Sequence, residues 1–202
     1  LGIHPWDLLI PFSEEETYLH FQHLKSTYQS NTLLMGIGEC GLDRRREGIV
    51  SIEDQKKVFL WHMNWALESR LPLIVHCVKA YSDLLEILTQ ENYSGKILVH
   101  DFSGGSQLIK QLLKFDTYFS FGERLFKEDQ KMGEMITLIP KERIFLETDD
   151  QTVYSIESIY QKAATLLDLP LKDCENLLSA NLQRFFSDVD NLSPSDIINN
   201  LN

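Results

Sequence analysis

Apolar residues in this chain fall into short unbroken runs, separated by longer stretches where they recur every three or four positions. The unbroken runs are residues 33–38 (LLMGIG), 73–75 (LIV), 97–99 (ILV), 118–121 (YFSF) and 144–146 (IFL). Runs without polar alternation suit strands covered on both faces, as in a parallel sheet. The periodic stretches predict helices. Residues 14–29 follow Ser13, a capping residue, with acids in the first turn. Residues 52–69 follow Ser51, with Asp54 in the first turn and Val58, Phe59, Met63, Ala66 and Leu67 as a core stripe. Residues 82–90, 106–114, 155–167 and 172–186 repeat the pattern, and a polar tail starts at Asp188. Strand-then-helix alternation predicts βα units around a parallel sheet, read as one domain over 1–187 with a tail over 188–202.

Composition changes this picture little. No apolar run is long enough to cross a bilayer and no charged-then-apolar leader opens the chain, so the expectation is a cytoplasmic protein. Cys40, Cys77 and Cys174 are odd in number and lack paired metal-ligand spacing, which argues against a disulfide framework or a zinc finger. A net charge of −11 argues against a protein that reads DNA through a basic surface. It leaves open a nucleic-acid substrate at a local site where metal ions supply the positive charge. No obligate protein partner and no membrane is inferred.

The chemistry lies where polar residues meet the apolar runs. Glu39 follows LLMGIG, His76 follows LPLIV, His100 follows KILV, and Asp149 comes just after IFLET. Each is thereby expected at the carboxyl end of a parallel strand, the end where loops converge and catalytic groups gather in α/β barrels. One histidine at a strand end is most often structural. Four successive strands ending in metal-competent side chains point instead to a metal site, and the imidazole share favours zinc or another transition metal over magnesium.

These residues sit in blocks that, taken in order, resemble the TatD family: GIHPW (2–6), GECGLD (38–43), PLIVHC (72–77), VHDFSG (99–104), YFSFG (118–122), ETD (147–149) and ANLQRFF (180–186). The resemblance covers nearly the whole chain. It implies a TIM-barrel-like (β/α) barrel of the amidohydrolase superfamily, two divalent metal ions (Zn, Mn or Mg) and deoxyribonuclease activity. By the same resemblance Glu39 bridges the ions, His76 and His100 are ligands, and Asp149 is both ligand and general base. The compact blocks imply a barrel whose last strand is abbreviated and whose first is absent from this chain.

Departures qualify the expectation. The family's first strand carries a His-x-His pair, and none occurs here. The sequence opens on Leu1: with the pair upstream the native site would be complete, whereas a chain truly lacking it would hold one ion poorly and leave catalysis in doubt. Val78 and Lys79 follow Cys77, and Asp150 and Gln151 follow ETD, where the family commonly has other residues. His4, in the GIHP block, is a candidate for substrate or metal binding. Arg44, Arg45 and Arg46, beside Lys79, are candidates for steering phosphate in an otherwise acidic chain. Gly104 and Gly105, before a helix start, are a weaker anion candidate. His20 and His23, three apart on one helix, lack a third ligand and are expected to be solvated. His62 is expected to pack or face solvent, and Cys40 and Cys77 to be small buried neighbours rather than nucleophiles. The expected function is metal-dependent hydrolysis of phosphodiester bonds, DNA being the expected partner. The alternatives are hydrolysis of a small amide, lactone or phosphoester, and a catalytically impaired barrel acting as a binding module.

Overall fold

A computed structural model describes residues 1–28, 34–127, 129–149 and 153–187, with side chains left out at 129–131. Its five strands are β1 (Ile37–Asp43), β2 (Leu73–Val78), β3 (Ile97–Val99), β4 (Thr117–Phe121) and β5 (Ile144–Leu146). All neighbours are parallel, and spatial order follows chain order, β1-β2-β3-β4-β5. A sheet that grows in one direction by successive crossovers curves as a barrel wall; a doubly wound sheet would reverse its order.

Among the described residues seven α-helices precede, connect and follow the strands: α1 (Glu14–Tyr28), α2 (Ile52–Ser69), α3 (Tyr81–Gln90), α4 (Ser106–Leu112), α5 (Asp129–Ile136), α6 (Ile156–Leu166) and α7 (Leu171–Phe185). The Ser51 side chain accepts from the Asp54 N–H at the start of α2, and Arg70 in the left-handed region ends it. Among the described residues no helix is long and apolar enough to cross a membrane.

Several elements match the sequence reading to the residue, namely β3, β5 and α2. Two strands differ in a way that matters for the site. β1 begins at Ile37 and continues through GECGLD to Asp43, and β2 continues to Val78. Glu39 and His76 therefore lie within strands and not beyond them. Ladder bonds join backbone groups, so the pairing of Gly41 with His76 and Asp43 with Val78 extends the sheet through residues with no apolar signature. α5 was not foreseen; Gly133 in DQKMGEMI and its eight-residue length obscure the periodicity. Leu33, Gln29 and the tail from Asp188 fall outside the described residues.

The core lies between sheet and helices. Phe59 and Trp65 of α2, Phe119 and Phe121 of β4, and Phe185 of α7 are almost wholly buried. α7 is stitched to the sheet by Asn181, fully buried, whose Nδ2 donates to Lys141 O (2.8 Å) and Ile144 O (2.9 Å). Residues 1–3 run along β1: the Leu1 amine donates to Gly36 O and Gly38 N donates to Leu1 O. Ile3 N donates to the buried His62 Nε2 (2.9 Å), and His62 Nδ1 donates to Val58 O (2.7 Å).

Candidate metal centre

Glu39 reaches the site because β1 is irregular. The β1–β2 register shifts between Ile37 and Cys40, and such a bulge re-aims a side chain. Two glycines make it possible. Gly38 (φ 144°) and Gly41 (φ 142°) lie where L side chains are strained, and a Cβ on Gly41 would lie 2.0 Å from His76 O. GECG is thus a backbone specification as well as a ligand position.

His76 lies near the end of β2 and His100 directly after β3. Asp101 (φ 39°) and Asp149 (φ 49°) are left-handed residues just past β3 and β5, a conformation that aspartate tolerates. Single ligand atoms of His4, Glu39 and His76 lie within 4.8 Å of one another, as do those of Glu39, His100 and Asp149. Glu39 belongs to both sets. The structure therefore brings together all four residues expected as ligands, and adds His4 to them. Lys79 (φ 54°) is exposed beyond β2 and belongs to neither set.

Behind the histidines stand two carboxylates. His76 Nε2 donates to Asp43 Oδ2 (3.3 Å), which turns the unprotonated Nδ1 toward His100 Nε2 at 3.1 Å. His100 Nε2 lies 3.3 Å from Glu39 Oε2, and its Nδ1 lies 3.9 Å from Glu147 Oε1, beyond direct hydrogen bonding. The Asp43 carboxylate thereby fixes the ring and tautomer of His76. Asp43 is itself clamped, accepting from Trp6 Nε1 (2.8 Å), from the Arg45 backbone N–H (2.8 Å) and from the Arg45 guanidinium. Glu147 accepts from Ser120 Oγ (2.6 Å) and the Asp101 N–H. Asp101 in turn pairs with Arg124 through two 2.7 Å bonds. His4 meets the His76 ring edge-on at 4.3 Å between centroids, and its Nδ1 accepts the Trp6 N–H.

Protonation states follow from these contacts. Burial first, then the neighbouring His4, pulls His76 down to about 4 despite the opposing Asp43 bond. Burial also lowers His4. Both are neutral at pH 7, the state in which imidazole binds a metal. Burial would raise Asp43, but hydrogen bonds from Arg45 and Trp6 outweigh it and hold the carboxyl well below the usual range. Burial raises Glu147, only partly offset by Ser120. A buried set of two or three imidazoles, an exposed shared carboxylate and a further carboxylate at the mouth fits divalent cations in chemistry and spacing.

The family model described as TatD related DNase matches residues 1–187. This chain belongs to that family. The TatD match spans every strand and helix described above. A relative named "Uncharacterized metal-dependent hydrolase YabD", from Bacillus subtilis, is 27% identical over 92% of this chain and 76% of its own length. A human relative named "3'-5' RNA nuclease TATDN2" is 33% identical over 64% of this chain but only 19% of its own length. The crystal structure of YJJV, a TatD homologue from Escherichia coli, superposes with a TM-score of 0.77 at 19% identity, covering 93% of this chain and 75% of that one. The fold of this TatD-family chain is accordingly that of a TIM-like (β/α) barrel, and its family is one of metal-dependent hydrolases.

Sequence reasoning passed over four residues that support this candidate centre: Asp43, Asp101, Arg124 and Glu147. Asp43 closes GECGLD and Glu147 opens ETD, so both stood inside the motifs without an assigned part. Of the three arginines, Arg44 is committed to Asp83 and Glu47, and Arg45 to Asp43. His20 and His23 are exposed on α1, while Cys40 and Cys77 are buried thiols that burial pushes far up, away from nucleophilic use.

Proposed function

We propose that this chain hydrolyses phosphodiester bonds in nucleic acid, DNA foremost, at a centre for two divalent ions. The observation that carries it is the membership of Glu39 in two ligand sets. His4, Glu39 and His76 would hold one ion; Glu39, His100 and Asp149 the other. Zinc, manganese and magnesium are the candidates. Such ions supply positive charge to a bound phosphate and a lowered pKa to bound water.

The chain's own groups divide the remaining work. Asp149 stands exposed on its left-handed turn at the mouth of the site and takes the proton of the attacking water. Asp43 holds the His76 tautomer, and Glu147 orients the loop through the Asp101 N–H. The family description as DNase and the human relative's name as an RNA nuclease support a nucleic-acid substrate.

The test is metal content together with cleavage of single-stranded DNA, duplex DNA and RNA, with and without chelator. Two ions per chain and chelator-sensitive cleavage are expected. Asp149→Asn should lower kcat by about 10²–10⁴-fold with the melting temperature retained, and Glu39→Ala should lower the ion count. Turnover retained in Asp149→Asn sinks the base assignment. No cleavage of any nucleic acid by metal-replete protein overturns the function.

A further inference from the structure

Next to the ligand cluster lies a group that hydrolysis does not require. Trp6 is 49% exposed, a large share for an indole. Its Nε1–H donates to Asp43 Oδ2, the same oxygen that receives His76 Nε2, so the ring is pinned one residue away from a proposed ligand. Two guanidinium groups approach it, Arg46 at 4.9 Å and Arg45 at 5.7 Å from the ring centroid. Arg44 and Arg45 are neutralised by carboxylates. Arg46 makes no ion pair among the described residues, and its Nε is buried without a hydrogen-bond partner. In a chain of net charge −11, a cation with no carboxylate partner against a fixed, half-exposed indole marks a place where something else binds.

We propose that Trp6 stacks a nucleobase and that Arg46 pairs with an adjoining phosphate, holding the strand at a nucleotide flanking the scissile bond. Every base offers a π-face, so the ledge holds a strand without reading its sequence. A base inside a duplex is already stacked on both sides, so the ledge takes unpaired nucleotides, in single strands or at frayed ends. The planar, always charged guanidinium of Arg46 suits a phosphate's oxygens. This inference rests on the nucleic-acid reading above and names the residues that select the strand.

The experiment compares binding of phosphorothioate oligothymidylate with a phosphorothioate abasic strand of equal length, by fluorescence anisotropy on metal-replete protein. Both strands carry the same backbone charge and resist cleavage; only one has bases. Wild type should prefer oligothymidylate roughly tenfold. Trp6→Leu should erase that preference, and Trp6→Phe, which keeps an aromatic face but loses the bond to Asp43, should retain it. Arg46→Gln should weaken both strands alike and reduce the salt slope by about one. Equal binding of the two strands by wild type, or a preference that survives Trp6→Leu, overturns the ledge. Cleavage without base preference removes the ledge and leaves the hydrolase reading intact. Base-dependent binding without cleavage supports the ledge and removes the hydrolase reading.

Discussion

At the scale of single residues, the site is as much its second row as its ligands. Asp43 gathers Trp6, Arg45 and His76 on one buried carboxylate. Asp43→Asn keeps the shape but alters the tautomer that His76 is offered, and should weaken metal affinity by about 10–100-fold as read by competition with a chelator. An unchanged affinity would show that Nδ1 of His76 needs no such partner. The convergence of Glu39, His76, His100 and Asp149 was legible in the sequence because each stands at or just past the end of an apolar run. Asp43 and Glu147 were not, because their roles come from contacts across strands and have no local pattern. The arginine run shows the same limit: Arg44 and Arg45 meet carboxylates, while Arg45 and Arg46 both approach the Trp6 indole.

Elements carry the geometry that places those residues. β1 is the least ordinary strand, with a register shift and two left-handed glycines around Glu39. Gly41→Ala would drive a methyl into the His76 carbonyl, the atom at 2.0 Å being backbone that cannot swing aside. The expected loss exceeds the ~1–3 kcal/mol of an ordinary damaging substitution, seen as a failure of soluble yield or a large fall in melting temperature. A small effect would mean that β1 relaxes freely there. Asn181→Ala removes a buried bond from α7 to Ile144 O at the start of β5 and a part-buried one to Lys141 O in the turn before it, and should cost about 1–3 kcal/mol. That is measurable by urea unfolding, and the ligand set should remain intact. Continuous apolar runs revealed β3 and β5 to the residue, whereas the polar halves of β1 and β2 were hidden. Side-chain pattern reports burial, and those halves are held by backbone pairing into a site where polar groups belong.

For the whole molecule, pH is the informative variable. Burial lowers His62 from 6.5 to about 4 in the folded chain. Between these values the unfolded chain binds the proton and the folded chain does not, so stability falls as pH drops from 6.5 toward 4. The contribution from His62 approaches about 3 kcal/mol at the lower end. Metal-free His76 adds to it in the same window. His62→Gln should flatten the dependence of unfolding free energy on pH, and an equally steep profile in the variant would refute the assignment. His62 is also the partner of the Ile3 N–H, and the stretch from Ile3 to Asp7 is held besides by the buried Ile3 side chain, the Trp6 bond to Asp43, the edge-on contact of His4 with His76 and turn contacts around His4. β2 and β3 below it are joined by an uninterrupted parallel ladder. In amide hydrogen exchange, Ile3 should therefore open at far lower free energy than Val75 or Val99, and faster in mild acid. The rim that offers His4 and Trp6 would breathe as its own cooperative unit while the floor holding His76 and His100 stays closed, so the molecule would lose its grip on a strand well before it lost its fold.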